Sequence, residues 1–214
     1  PKRSAASGER PLAALGKSGV EYVEVRCVDL DPFEPIGINS EQIRFLDTFL
    51  LLCLLTESPT DSREESARMV RNQTAVVERG RQPGLVLERD TESVDLGQWA
   101  TELLDQCTYI AEVLDRHAAN DFYSQTLAAQ KAKVKDPEST PSAKVIAALN
   151  EGSSFFDFTM QNAEQHAEFF ANRTGNTGQQ ARLQTEARDS LTRQLAIEEA
   201  DSLSFPEFVR DYLS

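Results

Sequence analysis

The sequence predicts an α+β chain that is predominantly α-helical, with one or two strands near its start and a helical body after them. Three observations predict this. The run 19–33 is dense in β-branched and aromatic residues and fits no helical stripe. From Asn39 onward, capping residues precede apolar residues spaced three and four apart. With 40% hydrophobic residues in 214 positions, the chain can bury a real core. The expected organisation is a strand region over 1–38 and a helical region over 39–214.

The strand comes first. Side chains alternate across a strand, so Val23, Val25 and Cys27 share one face, and Val20, Tyr22, Glu24, Arg26, Val28 and Leu30 share the other. Both faces are mostly apolar, the pattern of a strand covered on both sides. Glu24 and Arg26 nevertheless sit side by side, with Cα atoms about 6.6 Å apart at strand rise. A buried charge costs several kcal/mol unless it is paired or holds a metal. Spacing alone allows two readings: a functional site, or a cross-strand pair on a half-wet face worth less than about 1 kcal/mol. If the site reading holds, Arg26 reaches more easily to a ligand between the two groups than to Glu24 itself.

The helical patterns follow in order. Asn39 with Gln42 makes a capping box for a helix carrying Ile43, Phe45, Leu46, Phe49, Leu50, Cys53 and Leu54. Its second half is apolar almost all round, which predicts deep burial of that end. Ser58-Pro59 stops it. Ser62 with Glu65 starts a second helix that runs to Gly80, read as a C′ residue. The stretch 79–84 is a turn-rich connection, and 87–93, polar and acidic, reads as a loop. From Ser93 a third helix repeats Leu96, Trp99, Leu103, Cys107, Ile110, Ala111 and Leu114, with Trp99 as a core residue. A shorter helix over 120–135 has a basic end that suits its dipole, and Asp136-Pro137 closes it. Thr140 and Pro141 open the next helix, which Gly152 closes. Phe155, Phe156, Phe158, Phe169 and Phe170 mark a further helix expected to plug against the others and to end near Gly175. Residues 179–200 are a long exposed helix or a frayed tail. Ser204 with Glu207 caps a last short helix.

Composition narrows the function classes. The net charge is −13, yet the first 35 residues hold five Lys/Arg against six Asp/Glu, so the excess acid lies downstream. That argues against nucleic acid and anionic membrane surfaces as partners. The apolar run 49–55 is too short to span a bilayer. Cys27, Cys53 and Cys107 stand far apart in apolar patterns and read as reduced, buried small hydrophobes of a cytoplasmic protein. His117 and His166 fall in helical patterns and read as surface or structural residues.

The run Gly19-Val20-Glu21-Tyr22-Val23-Glu24-Val25-Arg26, followed by Asp29-Leu30-Asp31-Pro32-Phe33-Glu34-Pro35-Ile36-Gly37, resembles the glutamate–cysteine ligase family of proteobacterial type. The resemblance includes Pro1-Lys2-Arg3 and Gly8-Glu9-Arg10-Pro11. It continues through Gln42-Ile43-Arg44-Phe45-Leu46-Asp47 and Glu78-Arg79-Gly80-Arg81-Gln82-Pro83-Gly84-Leu85, and is dense over roughly the first 90 residues. It implies a glutamine-synthetase-like cupped antiparallel sheet with helices outside it. This chain would be the C-terminal part, giving one or two strands and a helical body. The implied reaction uses ATP to phosphorylate the side-chain carboxylate of L-glutamate, and L-cysteine then displaces the phosphate, in the first step of glutathione biosynthesis.

The same resemblance implies site roles. Glu24 is the counterpart of a Mg²⁺ ligand, and Arg26 of a contact to the transferred phosphoryl group. Lys2 and Arg3 lie in the loop before the strand as candidates for the ATP phosphates, or simply as a loose chain end. Phosphoryl transfer needs hard oxygen ligands for Mg²⁺ and fixed cations around the phosphate, and this pair supplies one of each. The chain opens on Pro1, and the missing N-terminal part of the same enzyme is expected to supply the other metal ligands and the amino-acid pocket. The fragment alone is therefore expected to be inactive. Two alternatives remain at this point: a related carboxylate–amine ligase with another acceptor, and a helical interaction module that kept the strand for packing.

Overall fold

The computed structural model describes residues 2–6, 8–26, 28–58, 60–173 and 175–213. The chain divides into two units, Leu30–Phe169 and the combination of Pro1–Asp29 with Phe170–Ser214.

In the first unit, α2 (Ser40–Leu55) opens with the expected capping box. Asn39 Oδ1 accepts from Gln42 N at 2.9 Å, and Gln42 Oε1 accepts from Asn39 N at 2.8 Å. The start of α3 (Arg63–Arg79) is fixed by Ser62 Oγ, which accepts from Glu65 N at 3.1 Å. Gly80 ends α3 with φ −55°, right-handed rather than left-handed as a C′ glycine would be. Its need for glycine is steric, because a Cβ there would lie 2.6 Å from the Val76 carbonyl oxygen.

The stretch read as a loop at 87–93 is instead a hairpin. Strand β1 (Val86–Arg89) pairs antiparallel with β2 (Glu92–Asp95), setting Leu87 opposite Val94 and Arg89 opposite Glu92. Leu85, Leu87 and Val94 form a buried cluster, joined by Ala75, Leu96 and Trp99. The polar residues that suggested a loop lie mostly on the solvent side of two very short strands. Asn72 of α3 satisfies the open edge: its Nδ2 donates to Glu88 O at 2.7 Å, and its Oδ1 accepts from Glu88 N at 2.9 Å. Trp99 is a packing residue as expected, with the Arg89 guanidinium 5.6 Å over its ring.

The hairpin also moves the start of the next helix. Helix α4 (Leu96–Ala118) begins three residues after Ser93, where Asp95 Oδ1 accepts from Gln98 N at 3.0 Å. The main core joins α4 to α5 (Phe122–Lys135) and α2: Leu104, Cys107, Ala111 and Leu127 are buried, with Phe45, Phe49 and Val134 packed against them. A 3₁₀ turn (Pro137–Ser139) leads to α6 (Pro141–Asn150), where Thr140 Oγ1 accepts from Ala143 N at 3.4 Å.

Three burial expectations are corrected. Leu54 and Leu55, at the end of α2, are 77% and 73% exposed, because α4 and α5 cover only one side of an all-round apolar segment. In α7 (Phe155–Ala171) only Phe158 is buried, against the edge of Phe33 with centroids 5.8 Å apart. Phe155, Phe156, Phe169 and Phe170 are exposed, because aromatic residues spread around a helix cannot all face one core. Cys107 is fully buried, and burial pushes its thiol pKa up, whereas Cys53 is exposed; Cys27 lies outside the described residues.

One buried acid joins two helices. Asp115 of α4 accepts from Tyr123 N at 2.8 Å and from Ser124 N at 2.9 Å, so it caps α5 from a neighbouring helix. Burial works to raise its pKa, but bonds from the Ser124 side chain and the two backbone N–H groups outweigh this, and the net shift is downward. A depressed folded pKa stabilises fully above the unfolded carboxylate range and loses that stabilisation as pH falls through the folded value. Asp115→Ala is expected to cost about 1–2 kcal/mol at neutral pH, with the deficit shrinking in acid. Urea unfolding at a series of pH values checks this; a deficit independent of pH would contradict it.

In the other unit, α1 (Pro11–Ser18) was not foreseen, although Pro11 sits in its first turn and Ala14 is its buried residue. Helix α8 (Thr177–Ala200) is exposed along its length, which decides for a helix over a frayed tail. The last helix, α9 (Phe205–Leu213), has Glu207 Oε2 accepting from Ser204 N at 3.0 Å. Among the described residues, no helix is long and apolar enough to cross a membrane.

The predicted strand over 19–33 is reduced to a single antiparallel bridge between Lys2 and Tyr22. Lys2 N donates to Tyr22 O at 2.8 Å, and Lys2 O accepts from Tyr22 N at 3.1 Å. A ladder needs a neighbour along its length, and residue 2 pairs at one position only. Covering on both faces is likewise not observed: Val20, Tyr22, Val23, Val25 and Val28 are all exposed.

Candidate functional site

The bridge at Lys2 and Tyr22 brings the N-terminal cations beside the acid and base of the following segment. Arg26 donates twice to one oxygen of Glu24, from Nε at 2.9 Å and from a terminal nitrogen at 2.5 Å. Lys2 Nζ lies 4.0 Å from the same oxygen, Glu24 Oε2. This corrects the expectation that Arg26 would pass over Glu24. The guanidinium reaches back across two residues, because its side chain is 74% exposed and nothing else competes for it among the described residues. The Arg26 hydrogen bond, aided by the charges of Arg26 and Lys2, holds the Glu24 carboxyl below the usual carboxylate range. Glu24 is therefore ionised throughout the neutral range.

Arg3 takes a different place. Its Nε donates to Gly19 O at 2.6 Å, and a terminal nitrogen lies 3.8 Å from Glu21 Oε2. Glu21 also accepts from Ser4 N at 3.0 Å. The structure thus gathers Lys2, Glu24 and Arg26, and sets Arg3 with Glu21 beside the bridge. Sequence reading singles out all three gathered groups and Arg3, and gives Glu21 no role. The signal for Glu21 was its position between the paired Tyr22 and Gly19, which only the bridge makes meaningful.

The donor set suits a phosphate-rich ligand with a hard cation. Glu24 Oε1 carries no hydrogen bond among the described residues, so one carboxylate oxygen remains for a metal, with two cations within reach. Mg²⁺ is usually held by one or two carboxylates plus waters and phosphate oxygens, so a single carboxylate fits as a contribution and not as a cage. Among the described residues no group of three or more His, Cys, Asp or Glu side chains could hold a metal ion. His117 and His166 both lie on helices outside this cluster, in α4 and α7.

Residues 1–76 match the sequence model of the glutamate–cysteine ligase family. Glutamate–cysteine ligases from Pseudomonas fluorescens and Azotobacter vinelandii are 43% and 46% identical to this chain over 213 residues, 99% of its length. The likeness therefore extends well past the first 90 residues, through the helical body whose surface sequence had obscured it. A crystal structure of glutamate–cysteine ligase from Francisella tularensis in complex with AMP superposes with a TM-score of 0.88 at 31% identity. It covers 99% of this chain and 42% of that one. The chain spans about 40% of the length of the two curated relatives. In sequence and in fold, the chain is similar to part of a glutamate–cysteine ligase.

Proposed function

We propose that this chain is the C-terminal part of an ATP-dependent glutamate–cysteine ligase, and that residues 1–38 contribute its phosphate-facing charges. The observation that carries the reading is the convergence of Lys2 and Arg26 on one oxygen of Glu24, in a chain 43–46% identical to such ligases. The AMP complex of the Francisella tularensis enzyme supports an adenine nucleotide as ligand of this protein too.

In the intact enzyme, Glu24 would be one of the residues that hold Mg²⁺, as a hard carboxylate ligand. Bound there, Mg²⁺ would screen the ATP phosphates and help polarise the γ-phosphoryl group. Arg26 turns its exposed guanidinium from Glu24 to the γ-phosphoryl oxygens. Its planar fork there neutralises charge as that group moves to the side-chain carboxylate of L-glutamate. Lys2 adds a second cation at the same place, and Arg3, tied to Gly19 and Glu21, adds a more distant one. The amine of L-cysteine then displaces phosphate from the glutamyl phosphate. The remaining ligands are expected from waters, phosphate oxygens and carboxylates of the N-terminal part of the enzyme.

The test is ligation by the purified chain and by the full-length protein under the same conditions. The full-length protein is expected to form γ-glutamylcysteine with ATP and Mg²⁺, and the chain alone none. Ligation by the chain alone would contradict the division of ligands; its absence from both would contradict the function.

A further inference from the structure

The unit made of Pro1–Asp29 and Phe170–Ser214 carries the Glu24 cluster but has almost no core of its own. Among the described residues Ala14 is its one buried hydrophobic side chain, whereas both buried clusters lie in Leu30–Phe169. Neither α8 nor α9 packs substantially against another described helix or strand. An isolated helix shorter than about 12–15 residues is marginal in water, and helices in proteins are held mainly by packing an apolar face. The nine residues of α9 therefore need a partner.

Both helices present such a face. In α9, Phe205, Phe208, Val209, Tyr212 and Leu213 recur at the spacing of one helical face, and Phe208 stacks on Tyr212 with ring centroids 5.9 Å apart. Glu207, Arg210 and Asp211 take the other side. Phe205 is 77% exposed and Phe208 51%. In α8, Leu183, Ala187, Leu191 and Leu195 recur every four residues, and the three leucines are all exposed. Apolar faces left open on two successive helices mark a contact surface.

The occupant is indicated by how much chain lies outside and where it joins. This chain spans about 40% of the length of its two curated relatives, so the larger part of such an enzyme lies outside it. On the ligase reading, that part enters at residue 1, and so enters this unit and not Leu30–Phe169. The polar residues of both helices mix acid with base, without the Lys/Arg excess of a helix that lies on a membrane.

We propose that the apolar faces of α8 and α9 are the docking surface for the N-terminal part of the same enzyme, whose apolar residues complete the core that this unit lacks. The identity of that part rests on the ligase reading. Lys2, Glu24 and Arg26 belong to the same unit, so docking orders the phosphate-facing charges as well.

Hydrogen–deuterium exchange followed by mass spectrometry, on this chain by itself and on the full-length protein, tests the proposal. In the chain by itself, α8 and α9 are expected to exchange almost freely, while α4 and α5, which carry the main core, stay protected. In the full-length protein α8 and α9 should exchange about tenfold more slowly, or slower still. Phe208→Asp should reverse that gain across α9 in the full-length protein. It should leave exchange in the chain by itself nearly unchanged, because the ring is already exposed there. Equal exchange of α8 and α9 in the two proteins would overturn the proposal, whether both are protected or both are free. So would protection that Phe208→Asp leaves intact, or protection lost on dilution as a dimer separates, which would give the face to a second copy. None of these readouts uses activity, so ligation by the full-length protein decides the ligase reading separately.

Discussion

Arg26→Lys in the full-length enzyme is expected to lower kcat by roughly 10²-fold or more, equivalent to about 2.7 kcal/mol of transition-state stabilisation. The lysine keeps a positive charge but loses the planar fork that binds two oxygens at once. Arg26 already uses that fork on Glu24, donating from two nitrogens to one oxygen. Folding should be nearly intact, because the side chain is 74% exposed and a lysine can still pair with Glu24. Turnover and thermal unfolding measured on one preparation separate the two effects. Near-normal turnover with a strongly lowered melting temperature would assign Arg26 to structure instead.

Glu24→Gln is the second large effect. The amide keeps the shape and can still accept from Arg26, but it removes the charge proposed to hold the metal. The Mg²⁺ concentration needed for half-maximal activity should rise, and activity should fall by about tenfold or more, the scale of a lost metal-site interaction. A Mg²⁺ titration of the variant against the parent enzyme decides it. An unchanged metal requirement would make Glu24 only the anchor on which Arg26 and Lys2 rest.

Three helix starts were legible in the sequence because their caps are local, while α1 and the Asp95 cap of α4 were not. Asn39 and Gln42, Ser62 and Glu65, and Thr140 before Pro141 each bond within three residues, and each stands where its spacing placed it. Burial was less legible, because it depends on partners far away in sequence. The end of α2 is apolar all round, yet nothing in its own residues says that α4 and α5 cover a single side. Asp115 shows the same limit from the polar direction: within α4 it is one more acid in an amphipathic pattern, and its role as a cap exists only once α5 turns back beside it. The hairpin was hidden by brevity, since four-residue strands with charged outer faces have the composition of a loop.

For the site, residue type was legible and geometry was not. A carboxylate and a guanidinium two residues apart stood out against the valines around them, and the family resemblance attached a chemistry to them. The strand assignment suggested a covered face, with the two groups projecting side by side. The observed segment bridges at one position, leaves its valines exposed, and folds the guanidinium back onto the acid. Those exposed valines, and Leu54 and Leu55 on α2, are apolar surface in a chain that spans about 40% of its relatives' length.

The phosphoryl step can be isolated from the amino-acid acceptor by supplying hydroxylamine in place of cysteine, with ATP, Mg²⁺ and L-glutamate, and measuring γ-glutamyl hydroxamate. The full-length enzyme is expected to form the hydroxamate in a glutamate- and ATP-dependent reaction, and Arg26→Lys to form it roughly 10²-fold more slowly. Hydroxamate formation at the parental rate in the variant would contradict the placement of the transferred phosphoryl group at Arg26.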